Sequence, residues 1–156
     1  MSFLGKVKKK LRNGSWYPFY NTFYEKNNLD PHMILLESRS GKALESNILS
    51  LLKELCQEPY RSFTLVLSVH RDSENEIKEK LQKNSIQGVH FVRTGSVAYY
   101  HALSRAGYLV NDTSFPGRFI KKEGQIYLNT WHGTPLKKMG RDNRPEMVTM
   151  GNVQRN

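Results

Sequence analysis

Cysteine is nearly missing from this chain: Cys56 stands alone among 156 residues. One thiol excludes an internal disulfide framework. Cys56 falls in an apolar helical pattern and reads as an inert packing thiol, so a reducing, cytoplasmic setting is expected. Long apolar runs are missing too, and none approaches the roughly 18 residues of a membrane span. The N-terminus is basic but has no apolar stretch behind the charge, so no signal peptide is read there. Two familiar phosphate loops, GxGxxG and GxxxxGK(S/T), are absent, as is a serine-centred nucleophile elbow. No histidine pair has metal-ligand spacing with cysteine or carboxylate support, so no structural metal is expected. There is no internal repeat and no low-complexity segment.

What is present suits one domain with a real core. Hydrophobic residues make up 38% of the chain and charged residues 24%, a globular rather than a disordered balance. Acidic residues are in deficit, and the net charge is +10. The excess sits in two places. Residues 1–26 hold six Lys/Arg against Glu25, and residues 118–144 hold seven against Glu123 and Asp142. Residues 27–117 balance ten against ten. Two basic patches of this kind ordinarily meet an anionic partner, whether phosphate, lipid headgroup or nucleic acid.

Within residues 1–26, Phe3, Leu4, Val7 and Leu11 share one helical face with lysines around them. That is the pattern of a short helix lying on a membrane surface, and equally of a solvated terminus or a helix capping the core. "WYPFYNTFY" follows, six aromatics in nine residues. It could be a membrane-interface belt, a base-stacking platform or a segment folded back onto the domain. Residues 1–26 are therefore set apart from a domain over 27–156.

From residue 32 apolar runs alternate with amphipathic stripes. "HMILLE", "SFTLVLSV", "GVHFVR", "YLVND" and "QIYLNTW" read as five strands. "SNILSLLKELCQ" reads as a helix capped by Ser46 or Asn47. "SENEIKEKLQKN" reads as a helix with a Ser73–Glu76 capping box. "SVAYYHALSRAG" reads as a helix stopped by Gly107. This alternation predicts an α/β fold, a Rossmann-like parallel sheet with helices on both faces. Ligands in such sheets bind beyond the carboxyl ends of the strands. The stretch "NTWHGTPLKKMG" leaves the last strand at that edge, with His132 in it. The loops Ser38–Asn47 and Asn111–Phe115 leave the same edge.

After His132, Thr134 can cap a short helix, Pro135 fits its first position and Gly140 its exit. A helix N-terminus attracts phosphate. Lys137 and Lys138 add charge, and Gly133 permits close approach. His132 is then placed as a general acid or base beside an anion, or else as a structural hydrogen-bonding residue. His90, His101, His32 and His70 are weaker candidates.

"NDTSFPGRFIKKEGQIYLNTWHGTPLKKMGRD" closely resembles the CDP-glycerol glycerophosphotransferase family, the teichoic-acid primases and polymerases. The string Trp131-His132-Gly133-Thr134-Pro135 with Lys137 and Gly140 carries most of the likeness. Ser38, Gly41 and Asn47 in "LLESRSGKALESN" match the family's Ser…Gly…Asn loop. The likeness runs from about residue 30 onward. It implies the N-terminal, acceptor-side half of a GT-B architecture of two Rossmann-like domains. It implies transfer of glycerol phosphate, or ribitol phosphate, from a CDP-linked donor to a hydroxyl of a lipid-linked teichoic acid acceptor. His132 would be the catalytic base, and Ser38, Gly41, Asn47, Gly133, Thr134, Lys137 and Lys138 would bind acceptor or phosphate. CDP-glycerol would be the donor, with no further cofactor firmly implied. The site would work at the cytoplasmic face of the cell membrane, with an anionic membrane surface as partner. The nucleotide-binding half is not in this sequence, so the chain is expected to be half of a two-domain enzyme and inactive alone. The alternatives are a non-catalytic membrane-docking Rossmann-like module or a nucleic-acid-binding domain.

Overall fold

The computed structural model describes residues 17–116 and 119–131. The basic helix expected at the N-terminus and the string from His132 onward lie outside them. The first described element is α1 (Tyr17–Lys26). Strand β1 (Asp30–Glu37) follows, then α2 (Ser46–Leu55) and β2 (Thr64–Val69). Helix α3 (Glu74–Lys83), β3 (Val89–Arg93), α4 (Val97–Arg105), β4 (Ala106–Asn111) and β5 (Ile126–Asn129) complete the order. The strands form one sheet in the order β3-β2-β1-β4-β5, and every pairing is parallel. This is the Rossmann-like layer expected from the alternation of strands and helices.

The strand order follows from what each strand must bury. In β1, Ile34 to Glu37 are all buried, because a central parallel strand is covered on both faces. Ile34 and Leu36 look to one face, where they join Leu44, Ile48 and Leu52 around α2 and Ile77 and Leu81 of α3. Leu35 looks to the other, with Val66, Leu109, Tyr99, Leu103 and Tyr20. Burying one such leucine fully is worth about 1.5–3 kcal/mol. Edge strand β5 lacks this cover, and Ile126, Tyr127 and Leu128 are exposed.

The aromatic segment before β1 folds back. Tyr20 is buried and stacks at an angle on Tyr24, Tyr100 and Phe119. Phe23 meets the His101 ring edge-on. Cys56, just beyond α2, packs against the α2 core, and burial raises its thiol above the ordinary range.

Three local expectations are corrected. Ser73 does occupy the position before α3, but its side chain makes no capping bond. Its backbone sits at φ −112°, ψ 2° after a 3-10 turn, whereas a capping serine needs extended backbone to aim its hydroxyl at the first turn. Neither Ser46 nor Asn47 precedes α2; the cap position is Glu45, again without a side-chain bond. Gly107 does not stop α4, which ends at Arg105, and it lies inside β4. Its lack of a side chain is needed there: a Cβ would stand 2.8 Å from Asp30 O and 3.0 Å from Pro31 Cα of the neighbouring strand.

Candidate functional site

The sheet turns polar at its last rung. Glu37 pairs in register with Ser68 on one side and Asn111 on the other, and Asn111 pairs with Asn129. Apolar rows thus end in four neighbouring polar residues at the carboxyl edge. The crossover direction reverses between β1 and β4, so this edge is the topological switch point where open α/β sheets bind ligands.

Glu37 is 1% exposed. Burial pushes its carboxyl above the ordinary range, and the Asp112 charge adds to this, while the Ser68 and Tyr99 hydroxyls pull it down. Glu37 Oε2, Tyr99 Oη, Asn111 Nδ2 and Thr113 Oγ1 are buried without a well-formed hydrogen bond. Ser68 Oγ and Thr94 Oγ1 share a bond of 2.8 Å.

Asp112, at the end of β4, clamps the loop that follows β1. Ser38 Oγ donates to its Oδ2 at 2.7 Å, and the Arg39 amide donates to its Oδ1 at 2.8 Å. Ser38 Oγ in turn accepts from the Glu45 amide at 3.3 Å. The clamp holds a left-handed run, with φ of 49° at Arg39, 56° at Ser40 and 78° at Gly41. Only glycine takes such a value without strain. At Gly41 the space is closed as well. A Cβ would lie 2.8 Å from the His70 amide nitrogen and closer still to Thr94 Oγ1. The Gly41 carbonyl accepts from that same His70 amide at 2.7 Å. Ser38 and Gly41 are therefore buried parts of the loop's frame, while Arg39 and Ser40 face outward.

The exit of β5 is fastened from both sides. The Thr130 amide donates to Asn111 O at 2.8 Å. Asn129 Nδ2 donates to Thr113 O at 2.6 Å, and Asn129 Oδ1 accepts from the Trp131 amide at 2.9 Å. Tyr127 Oη donates to Asn111 Oδ1 at 3.0 Å. From the β1 side, Asn47 Nδ2 donates to Trp131 O at 3.3 Å. Trp131 itself is left-handed, at φ 51°.

Of the residues singled out in the sequence, Ser38 and Gly41 thus frame one loop, and Asn47, at the start of α2, reaches Trp131. His132, Gly133, Thr134, Lys137 and Lys138 lie outside the described residues. Sequence reasoning missed Glu37, Asp112 and Asn129. The polar pair closing "YLVND" and the asparagine closing "QIYLN" were the available signals, since an apolar strand that ends abruptly in Asn or Asp marks the functional edge. Among the described residues no three His, Cys, Asp or Glu side chains gather in a metal-binding group. No helix among them is long and apolar enough to cross a membrane.

The family model for CDP-glycerol:poly(glycerophosphate) glycerophosphotransferase matches residues 19–156. The chain belongs to this glycerophosphotransferase family. A teichoic acid poly(glycerol phosphate) polymerase of Staphylococcus epidermidis is 31% identical over 123 residues, covering 79% of this chain and 16% of the relative. A teichoic acid glycerol-phosphate transferase of Staphylococcus aureus is 28% identical over 137 residues, covering 87% of the chain and 33% of the relative. The solved wall teichoic acid polymerase TagF superposes with a TM-score of 0.67 at 26% identity, covering 90% of this chain and 32% of TagF. A TagF variant soaked with CDPG superposes at 0.65, also at 26% identity, covering 92% of this chain and 35% of the variant. This glycerophosphotransferase chain spans about a third or less of the length of these relatives.

Proposed function

We propose that this chain forms the acceptor-side half of a two-domain GT-B enzyme. The enzyme transfers glycerol phosphate, or ribitol phosphate, from a CDP-linked donor to a hydroxyl of a lipid-linked teichoic acid acceptor. One observation carries the reading: just past β5, Trp131 is fastened by Asn47 at the start of α2, the helix that follows the clamped β1 loop, and the next residue is His132. The family match supports the reaction class.

In this mechanism the acceptor hydroxyl oxygen attacks the β-phosphorus of the CDP-alditol. The new P–O bond forms as the bond to the CMP oxygen breaks, and CMP leaves. The hydroxyl proton passes to His132, a general-base step worth about 10²- to 10⁴-fold. Gly133, Thr134, Lys137 and Lys138 stabilise charge on the transferring phosphate. The β1 loop, given its shape by Ser38 and Gly41 and bounded by Asn47, lines the acceptor side. The CDP moiety is held by a second domain outside this chain, so the chain alone releases no CMP. The basic residues of 1–26 favour the cytoplasmic membrane surface, each adding about 1 kcal/mol near anionic lipid. Co-sedimentation with anionic liposomes should therefore weaken with salt and on deleting residues 1–12. Equal binding to neutral liposomes at high salt would contradict the membrane reading.

The test of the reaction is CMP release by the full-length protein that contains this chain, supplied with CDP-glycerol and a lipid-linked acceptor. His132→Ala should lower turnover by about 100-fold or more while the unfolding transition stays in place. Near-normal turnover in a folded His132→Ala protein would refute it.

A further inference from the structure

We propose that Asn47 and Asn129 are positioning residues that fix the backbone at Trp131, the residue before His132. The inference rests on the reading of His132 as the base. The Trp131 carbonyl that Asn47 holds at 3.3 Å belongs to the peptide plane joining Trp131 to His132. The Trp131 amide that Asn129 holds at 2.9 Å belongs to the plane before it. Both planes flanking the Trp131 Cα are thus gripped by side-chain amides, and the residue between them is kept left-handed. A bulky residue does not hold that conformation unaided. Asn129 is itself anchored, since its Nδ2 donates to Thr113 O at 2.6 Å.

Asn47 has no competing structural duty among the described contacts. It is exposed, is the second residue of α2 and is not its cap, a position held by Glu45. An asparagine at the start of a helix ordinarily accepts from backbone amides, whereas this one donates its amide across 84 positions of sequence to the β5 exit. The clasp therefore ties the start of α2 to the strand exit that precedes the histidine.

The experiment uses the full-length protein and steady-state CMP release, with kcat and KM measured for donor and acceptor. Asn47→Ala should lower kcat by at least about fivefold, the worth of one hydrogen bond. The loss should approach about 100-fold if the base is displaced by about 1 Å. Both KM values should stay within about twofold. Asn47→Asp should be worse than Asn47→Ala, because a carboxylate then faces the Trp131 carbonyl. Asn47→Gln, which keeps a donor, should recover part of the loss. Asn129→Ala should resemble Asn47→Ala. An unchanged kcat with a raised acceptor KM in Asn47→Ala would overturn the proposal by making Asn47 a substrate contact. So would an Asn47→Asp protein as active as Asn47→Ala. His132→Ala separates the two ideas. If it is inactive while the asparagine variants are normal, the clasp alone fails. If it is active, the base assignment fails and the clasp with it.

Discussion

Asp112→Ala should be among the costliest single changes in the domain outside its apolar core. The carboxylate accepts from Ser38 Oγ at 2.7 Å and from the Arg39 amide at 2.8 Å, and it is only 5% exposed. Each bond to a charged group is worth about 1.5–3 kcal/mol, and removing the acceptor leaves its donors behind. The Ser38 hydroxyl can turn elsewhere, and it still accepts from Glu45. The Arg39 amide is fixed by backbone and cannot. Arg39 and Ser40 are also left-handed without being glycine, at about 1 kcal/mol each, so an unclamped loop relaxes and returns part of the loss. The balance is about 3–5 kcal/mol, a large share of the roughly 5–15 kcal/mol that holds a domain folded. For a chain of this size it corresponds to a Tm lower by about 8–15 °C. Asp112→Asn keeps one oxygen for the Arg39 amide and removes the charge that presses on Glu37, so it should lose less than half as much. Urea and thermal unfolding of the two variants beside the parent chain give the comparison. A loss below about 1 kcal/mol in Asp112→Ala would mean that the clamp does not hold the loop.

Glu37→Gln should leave the chain as stable or more stable at neutral pH. The Glu37 carboxyl is raised above its ordinary value of 4.5 by burial, so between that value and its folded value the native state binds more protons than the unfolded one. Stability from this group is then full at low pH and falls as pH rises through that window. Urea unfolding across pH should show that decline in the parent and not in Glu37→Gln; a difference between the two that stays flat with pH would contradict it. Gly41→Ala should cost about 2–5 kcal/mol, from left-handed strain together with the contact on the His70 amide. Gly88→Ala has a similar φ of +75° but open space around it, so it should cost only about 1–2 kcal/mol; equal losses by urea unfolding would show that crowding at Gly41 is not felt.

The sheet was legible in the sequence because its strands are continuous apolar runs. "MILL" and "LVLSV" have no polar side to confuse with a surface helix, and the helices between them carry clear stripes. That His132 follows a strand directly was legible from the order of elements along the chain, but how the loops Ser38–Asn47 and Asn111–Phe115 sit around that strand's exit was not. What escaped was what depends on pairing. Asp112 matters because β4 lies beside β1, which places it against Ser38 across 74 positions, and no local pattern encodes that neighbour. Asn47 looked like a cap because asparagine beside a helix start ordinarily is one. Its partner is the Trp131 carbonyl, just past β5. Ser73 and Glu76 have capping-box spacing, but the 3-10 turn over Arg71–Ser73 takes the backbone that the box would need. Gly107 reads as a helix stop, and only the closeness of Asp30 and Pro31 reveals a different need.

The strand order has a consequence for how the protein is made. β1 lies at the middle of the sheet, yet its partner β4 is translated only after β2 and β3. At about 5–20 residues per second, the stretch from Ser38 to Asp112 takes about 4–15 seconds to synthesise. Throughout that interval one edge of β1, with Ile34, Leu35 and Leu36 along it, has no strand to pair with. A nascent chain at this stage offers an apolar, open strand to whatever is near, whether another copy or a chaperone. The arrival of β4 then pairs that edge and, through Asp112, clamps the β1 loop in the same event.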